Sequence, residues 1–332
     1  MHTKVWIVAS IALALIGLAI VEWPSTDPCP ATEAQLIPGI ETRPIVPIPE
    51  APNFDERLVD LGRRLFHEER LSADGTISCA SCHPLSKGGV DGLRVSVGVG
   101  GSRGESNAPT VLNSGLNFRH HWDGRSMSLE DQIDGPLTHP KEMGSNWERV
   151  LAVLASDSDY VSEFQAIWGD GITVNNVKQA IATFERTLVT PDSPFDHYIN
   201  GQTDAISEDA IEGYQLFQEI GCISCHQGVN VGGNLFQRFG IASNFFEDRG
   251  SLSKVDLGRY NLTQRDEDVF KFRVPSLRNV AETAPYLHDG SIPTLEGVVR
   301  IMAKYQLGAH PSDEDVNKIV AFLKTLSGRQ QE

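Results

Sequence analysis

Cysteine is scarce in this chain, at five in 332 residues, and that excludes a small fold stapled by disulfides. Positive charge is also in deficit. Twenty-eight lysines and arginines face 44 acidic residues, a formal charge of -16. Nucleic acid is thereby disfavoured as a partner, because binding phosphate needs a basic surface; a basic protein would be attracted instead. Low-complexity composition is missing too, since 40% apolar and 22% charged residues are globular values that rule out collagen and general disorder. Methionine is rarer still, with Met1, Met127, Met143 and Met302 the only four.

At 36.4 kDa the chain has room for about two domains. Residues 1–23 read as a signal peptide or membrane anchor. Val5 to Val21 is uncharged and follows Lys4, so the positive end would stay in the cytoplasm and the rest would be exported. At about 1.5 Å per residue this run reaches roughly 26 Å, slightly short of a hydrocarbon core of about 30 Å. The lack of a clear small-x-small cleavage site before Glu22-Trp23-Pro24 favours a tether over a cleaved signal. Eight prolines between Pro24 and Pro52 predict a semi-rigid linker over 24–52, in which Cys29 is a stray thiol. The globular part is expected to start near Phe54, where Leu58, Leu61, Leu65 and Phe66 share a helical face.

The chain then repeats itself. Cys79-Ala80-Ser81-Cys82-His83 and Cys222-Ile223-Ser224-Cys225-His226 are two copies of C-x-x-C-H, the haem c attachment signature, and each follows a Gly-x-x-Leu-Phe segment, Gly62 to Phe66 and Gly213 to Phe217. A second block recurs at an offset of 166: Asn113 with Asn279, Asp123 with Asp289, Gly124 with Gly290, Leu129 with Leu295 and Glu130 with Glu296. The spacing has a chemical reason. Two thiols three positions apart reach the two vinyl groups of one haem, and the adjacent histidine is held beneath the iron. C-x-x-C alone could be a redox or zinc motif; two complete signatures within a repeat point to two covalently bound haem c groups. The sixth iron position then decides between electron transfer and reaction with a small oxidant. Met302 lies in the apolar stretch Val298 to Met302, where core packing is the commoner role of a methionine and iron ligation the alternative.

With Asn107-Ala108-Pro109-Thr110, Trp122-Asp123-Gly124-Arg125, Gly135-Pro136, Glu142-Met143 and Tyr286-Leu287-His288-Asp289-Gly290, the chain from about Phe54 onward resembles the bacterial di-haem cytochrome c peroxidases, a family that includes the MauG-type enzymes. The resemblance implies a mainly α fold of two cytochrome c-like domains in tandem, here 53–205 and 206–332, facing the periplasm. It implies that His83 is the proximal ligand of a peroxidatic haem, and that His226 and Met302 ligate a high-potential haem. Trp122 would bridge the two for electrons, with Gln132 and Glu142 in the distal pocket. A calcium ion would sit between the domains on Asn107, Thr283 and Pro285, all offering the hard oxygen atoms that calcium prefers. The implied reaction reduces hydrogen peroxide to water with electrons from a small c-type cytochrome or similar carrier. A MauG-type oxidase of a partner protein, a plain di-haem electron carrier and a homodimer all remain open.

Two departures from the family pattern matter. Activation-requiring members place a histidine in a Ser-x-Gly-His segment to cap the peroxidatic iron; here the segment reads Ser96-Val97-Gly98-Val99. Valine cannot ligate iron, so the first haem is expected to have an open or water-filled sixth site. His121 stands where those members have phenylalanine, either as a second proton donor or as a hydrogen-bonded structural histidine. Gly98, Gly100, Gly101 and Gly104 do not fit a dinucleotide pattern and read as a mobile loop over the first haem. His139, His197 and His310 read as surface polar groups. The last helix is expected over Asp313 to Ser327, with Val316, Ile319, Val320, Leu323 and Leu326 facing inward.

Overall fold

A computed structural model describes residues 43–329. The segments Val5 to Val21, Cys29 and most of the proline-rich linker lie outside the described residues. Among the described residues the fold is mainly helical, and no helix is long and apolar enough to cross a membrane.

The first half is organised by helix α1 (Glu56–Phe66) packed on α2 (Val174–Thr187). Asp55 caps α1 by accepting from the N–H of Arg57, and Thr173 caps α2 by accepting from Asn176, satisfying N–H groups that no helical carbonyl can reach. Gly62 sits at the crossing. A Cβ there would collide with the carbonyl of Ala180, so the two backbones meet only because position 62 has no side chain. Around that contact Leu61, Leu65, Phe66, Val177, Ile181 and Phe184 are buried, and the helices Trp147–Ala155 and Ser158–Ile167 add Val150, Leu154 and Phe164.

The second half repeats the device. Helix α3 (Glu208–Glu219) crosses α5 (Asp313–Lys324) at Gly213, where a Cβ would collide with the carbonyl of Lys318. Phe195, Phe217 and Phe322 fill this core, with ring centroids 5.0 and 5.1 Å from Phe322. The expected inward residues of the last helix, Val316, Ile319, Val320, Leu323 and Leu326, are all buried. Helix α4 (Leu295–Leu307) packs beside α5. A two-stranded antiparallel sheet, β1 (Phe236–Arg238) with β2 (Lys271–Arg273), pairs Phe236 with Arg273.

The repeat of offset 166 is structural as well as textual. Asn113 and Asn279 both adopt left-handed backbone, φ 59° and 57°, and both donate from Nδ2 to the same hydroxyl, Thr190 Oγ1, at 2.8 Å. Bridges His120 to Ser126 and Tyr286 to Ile292 close equivalent turns, in which His121 and Leu287 have φ of 63° and 71°.

The linker ends earlier than its prolines suggest. Ile45 and Ile48 are 1% and 5% exposed, Pro44 accepts from the N–H of Gly228 at 2.7 Å, and Val46 accepts from Arg278 Nη2 at 2.8 Å. Residues 43–48 are therefore packed against the second half and are no part of a free stalk. Proline holds extended backbone, which an edge pairing also requires, so composition alone could not separate the two.

The variant Gly213→Ala is expected to lose about 1–3 kcal/mol of stability, the usual cost of forcing atoms into a filled contact, with the loss read from urea unfolding midpoints. Equal midpoints would show that α3 and α5 can separate freely at this crossing.

Candidate functional site

Each C-x-x-C-H segment opens into its own cleft. The first encloses about 1440 Å³ of atom-free space, part of it open to solvent, and is lined by Cys79, Cys82, His83, His121, Arg125, Gln132 and Glu142 among others. The second has about 1610 Å³ of atom-free space, likewise partly open to solvent, and brings together Cys222, Cys225, His226 and Met302, with Phe239, Phe272, Val298 and Val299 in its walls. Met302 reaches it from α4, where it is half-buried.

Both histidines are aimed by backbone. His83 Nδ1 lies 3.0 Å from the carbonyl of Gly89, and His226 Nδ1 lies 3.2 Å from that of Val231. A ring that donates from Nδ1 presents Nε2 as a lone pair, the arrangement an iron ligand needs. Burial lowers the basicity of both, His226 to about 4, which keeps the rings neutral. Position 232 must be glycine-like, because a Cβ there would strike the carbonyl of Pro275 and crowd the His226 ring. Burial also pushes the thiols of Cys79 and Cys222 up to about 12 and about 11, and all four motif cysteines are free thiols. Among the described residues no three His, Cys, Asp or Glu side chains converge as a metal cage. Paired thiols, a neutral oriented imidazole and a large cleft together fit one haem c per signature.

The first cleft carries the polar chemistry. Burial raises the Glu142 carboxyl above the usual carboxylate range, against the opposing pull of His139 and Arg125. His139 Nδ1 is 3.5 Å from Glu142 Oε1. His121 is driven the other way: burial first, then the charges of Arg125, His120 and Arg273, hold its pKa down at about 3. It is therefore a neutral imidazole, and its buried Nε2 has no hydrogen-bond partner. A backbone hydrogen bond at Gln132 engages the ring, as a structural histidine would, while Nε2 is left in the interior without a partner.

The glycine loop is held rather than mobile. Val97 pairs with Arg103, Gly104 donates to the carbonyl of Ser96, and Val99 donates to the carbonyl of Glu142 at 2.9 Å. A side chain at Gly98 would collide with the backbone of Lys141. Glycine spacing advertised freedom; two of the backbone pairs that remove it are local, but the one from Val99 to Glu142 joins residues far apart in the chain and leaves no local pattern. Val99 itself is not among the residues lining the first cleft.

A single wall separates the clefts. Asn107, Ala108, Pro109, Thr110, Asn117 and Arg273 line both of them. His121, whose backbone is left-handed at φ 63°, lines the first and Trp122 the second. Trp122 is fixed by its indole N–H, which donates to the carbonyl of Asn107 at 2.8 Å. Asn107, Thr283 and Pro285 all border the second cleft. Asn107 Nδ2 donates to the carbonyl of Leu93 at 3.0 Å, which leaves its side-chain oxygen as the atom available to a cation. Arg125 and Glu185 also line the first cleft and were not singled out from sequence. Arg125 stands in a motif that was noticed, but Glu185 sits mid-helix among ordinary residues and carries no local signal.

Two tandem helical halves, each built around a haem c attachment site, define a di-haem cytochrome. The family model for di-haem cytochrome c peroxidase matches residues 56–204, and that for cytochrome c matches 210–327. The chain is 45% identical over 292 residues to cytochrome c peroxidase Ccp of Escherichia coli, covering 88% of this chain and 62% of that one. It is 43% identical to cytochrome c551 peroxidase of Nitrosomonas europaea over 86% of this chain and 85% of the relative. Among solved structures, a MauG-like protein associated with microbial copper homeostasis superposes with a TM-score of 0.74 at 30% identity, over 87% of this chain and 95% of that one. The chain belongs to the bacterial di-haem cytochrome c peroxidase and MauG family. It is an oxidoreductase with two cytochrome c-like domains.

Glu185, on α2, is 6% exposed, with Oε2 unpartnered, and burial raises its pKa from 4.5 to about 8. Because the folded value lies above the unfolded one, the stabilisation it contributes is present below about pH 4.5 and is lost as pH rises through about 8. Relative to Glu185→Gln, the wild type is expected to lose thermal stability across that window. A stability difference independent of pH would mean that this carboxyl is not held protonated.

Proposed function

We propose that the chain reduces hydrogen peroxide to two waters, consuming two protons and two electrons delivered singly by a small basic carrier such as a c-type cytochrome. The observation that carries this reading is Glu142, a carboxylate with raised pKa sharing the first cleft with Cys79, Cys82 and His83. Haem c bound through each signature would supply a peroxide-binding iron in the first cleft and a one-electron store in the second.

The chain's own residues have distinct tasks. His83 and His226 offer Nε2 to iron because Gly89 and Val231 engage Nδ1. Met302 offers a thioether, a ligand that favours the reduced state. Glu142 takes the proton from the inner oxygen of peroxide and returns it to the outer oxygen as the O–O bond breaks. Gln132 cannot titrate and orients the peroxide by hydrogen bonding. Trp122, clamped to Asn107, lies on the wall that electrons must cross. Asn107 by its side chain, and Thr283 and Pro285 by main-chain oxygens, would hold a calcium ion beside that wall.

We divide the chain into a peroxidatic domain, 53–205, and an electron-transfer domain, 206–332. Export to the periplasm accords with haem c attachment outside the cytoplasm, with Val5 to Val21 as leader or tether. The formal charge of -16 suits a basic donor. A second reading, a MauG-type oxidase of protein side chains, is favoured by Val99 in place of a capping histidine; Met302 disfavours it, because MauG places tyrosine on the second haem.

Glu142→Gln should lower kcat/KM for peroxide by about 10²–10⁴-fold. It should also abolish the fall in wild-type activity as pH drops through a pKa above 4.5, since Glu142 must be ionised to accept the proton. An unchanged pH profile would remove Glu142 from the chemistry.

The as-isolated, fully oxidised protein is expected to oxidise reduced cytochrome c immediately on adding peroxide. A lag abolished by pre-reduction would mean that another group caps the first iron, with His121 the nearest candidate. No turnover would shift the assignment to the protein oxidase or the plain carrier.

A further inference from the structure

Arg273 closes strand β2 and is 4% exposed. Its main-chain N–H donates to the carbonyl of Trp122 at 2.8 Å, and its Nε donates to that of His121 at 3.2 Å. Nη1 is buried without any partner. Burial alone acts on its acidity, lowering it to about 10, and no carboxylate opposes that effect.

The other buried arginine of the fold shows the usual remedy. Arg278, 1% exposed, meets Asp196 at 2.8 Å and donates to the carbonyls of Val229 and Val46. Burying a cation without an anion is costly, and a guanidinium with a free edge is shaped to take a carboxylate through two parallel hydrogen bonds. Arg273 has an unpartnered Nη1, and it lines both clefts. Each haem carries two propionates, on the edge opposite the vinyl groups that bond to cysteine. They are the carboxylates that enter these clefts with the cofactor.

We propose that Arg273 binds haem propionate at the wall between the clefts, supplying the counter-charge that the protein itself omits and placing a cation next to Trp122 on the route between the haems. The inference rests on the two-haem reading. Its consequence is electrostatic: a cation at the haem edge favours the ferrous state, which carries less positive charge, and therefore raises the reduction potential.

The test uses the holoprotein with Arg273→Gln and Arg273→Lys. Haem content by the pyridine haemochrome assay comes first. Fewer than two haems on the wild type would overturn the two-haem reading, and the propionate assignment with it. If the wild type carries two, redox titration of Arg273→Gln should show a lowered midpoint potential for at least one haem, with Arg273→Lys in between. The propionate bending band in resonance Raman spectra should shift in both variants. Two retained haems with wild-type potentials and bands in Arg273→Gln would overturn the assignment while leaving the peroxidase reading intact. If Arg273→Gln fails to fold, Arg273→Lys decides, because it keeps the charge but loses the planar fork: a shifted propionate band supports the assignment and an unshifted one overturns it.

Discussion

The hydrogen bond from the Trp122 indole to the carbonyl of Asn107 ties together the elements on which the molecule's chemistry depends. Asn107 begins the segment that faces both clefts, so the bond fixes an aromatic side chain of the second cleft to the backbone of the first. The same wall is buttressed from behind. Asn107 donates its N–H to the carbonyl of His288, whose Nε2 lies 2.7 Å from Asp256 Oδ1. Burial works to raise the Asp256 carboxyl, but hydrogen bonds from Arg249, Ser253 and His288 hold it down at about 2. A wall pinned at both faces holds the two clefts in constant relation.

Internal repetition supplies the frame and divergence supplies the asymmetry. Gly62 and Gly213 permit the same close helix crossing, and Asn113 and Asn279 converge on one hydroxyl of Thr190. Position 122 is tryptophan where its counterpart 288 is histidine, and the two rings meet edge to face at 6.4 Å. One half thus presents a large π system, while the other presents an imidazole fixed by a carboxylate.

Burial sets the acid–base character of the first cleft. It raises Glu142 and Glu185 while depressing His121, so carboxyl groups lean toward the protonated form and the histidine toward neutrality. At Glu142 burial outweighs the downward pull of His139 and Arg125 on the carboxyl. A carboxyl whose proton affinity burial has raised is better suited to take and return a proton than one held ionised by a salt bridge.

The attachment sites, the repeat and the helical character were legible in the residues, because covalent chemistry and helix periodicity are local: two thiols and a histidine must stand at fixed spacing whatever surrounds them. The motif resemblance added Trp122, Gln132, Glu142 and Met302, and the fold brings each to the lining of a cleft. Other features belonged to tertiary structure alone. The packing of residues 43–48 depends on Gly228 and Arg278, nearly 200 residues away or more. The tying down of the glycine loop depends on Glu142, and the neutrality of His121 and the missing counter-ion of Arg273 depend on what burial places around them. Sequence determined which reactive groups the chain carries and how its helices begin and end; only the folded chain decided which face each other, because desolvation and charge pairing act through distances that residue order does not encode.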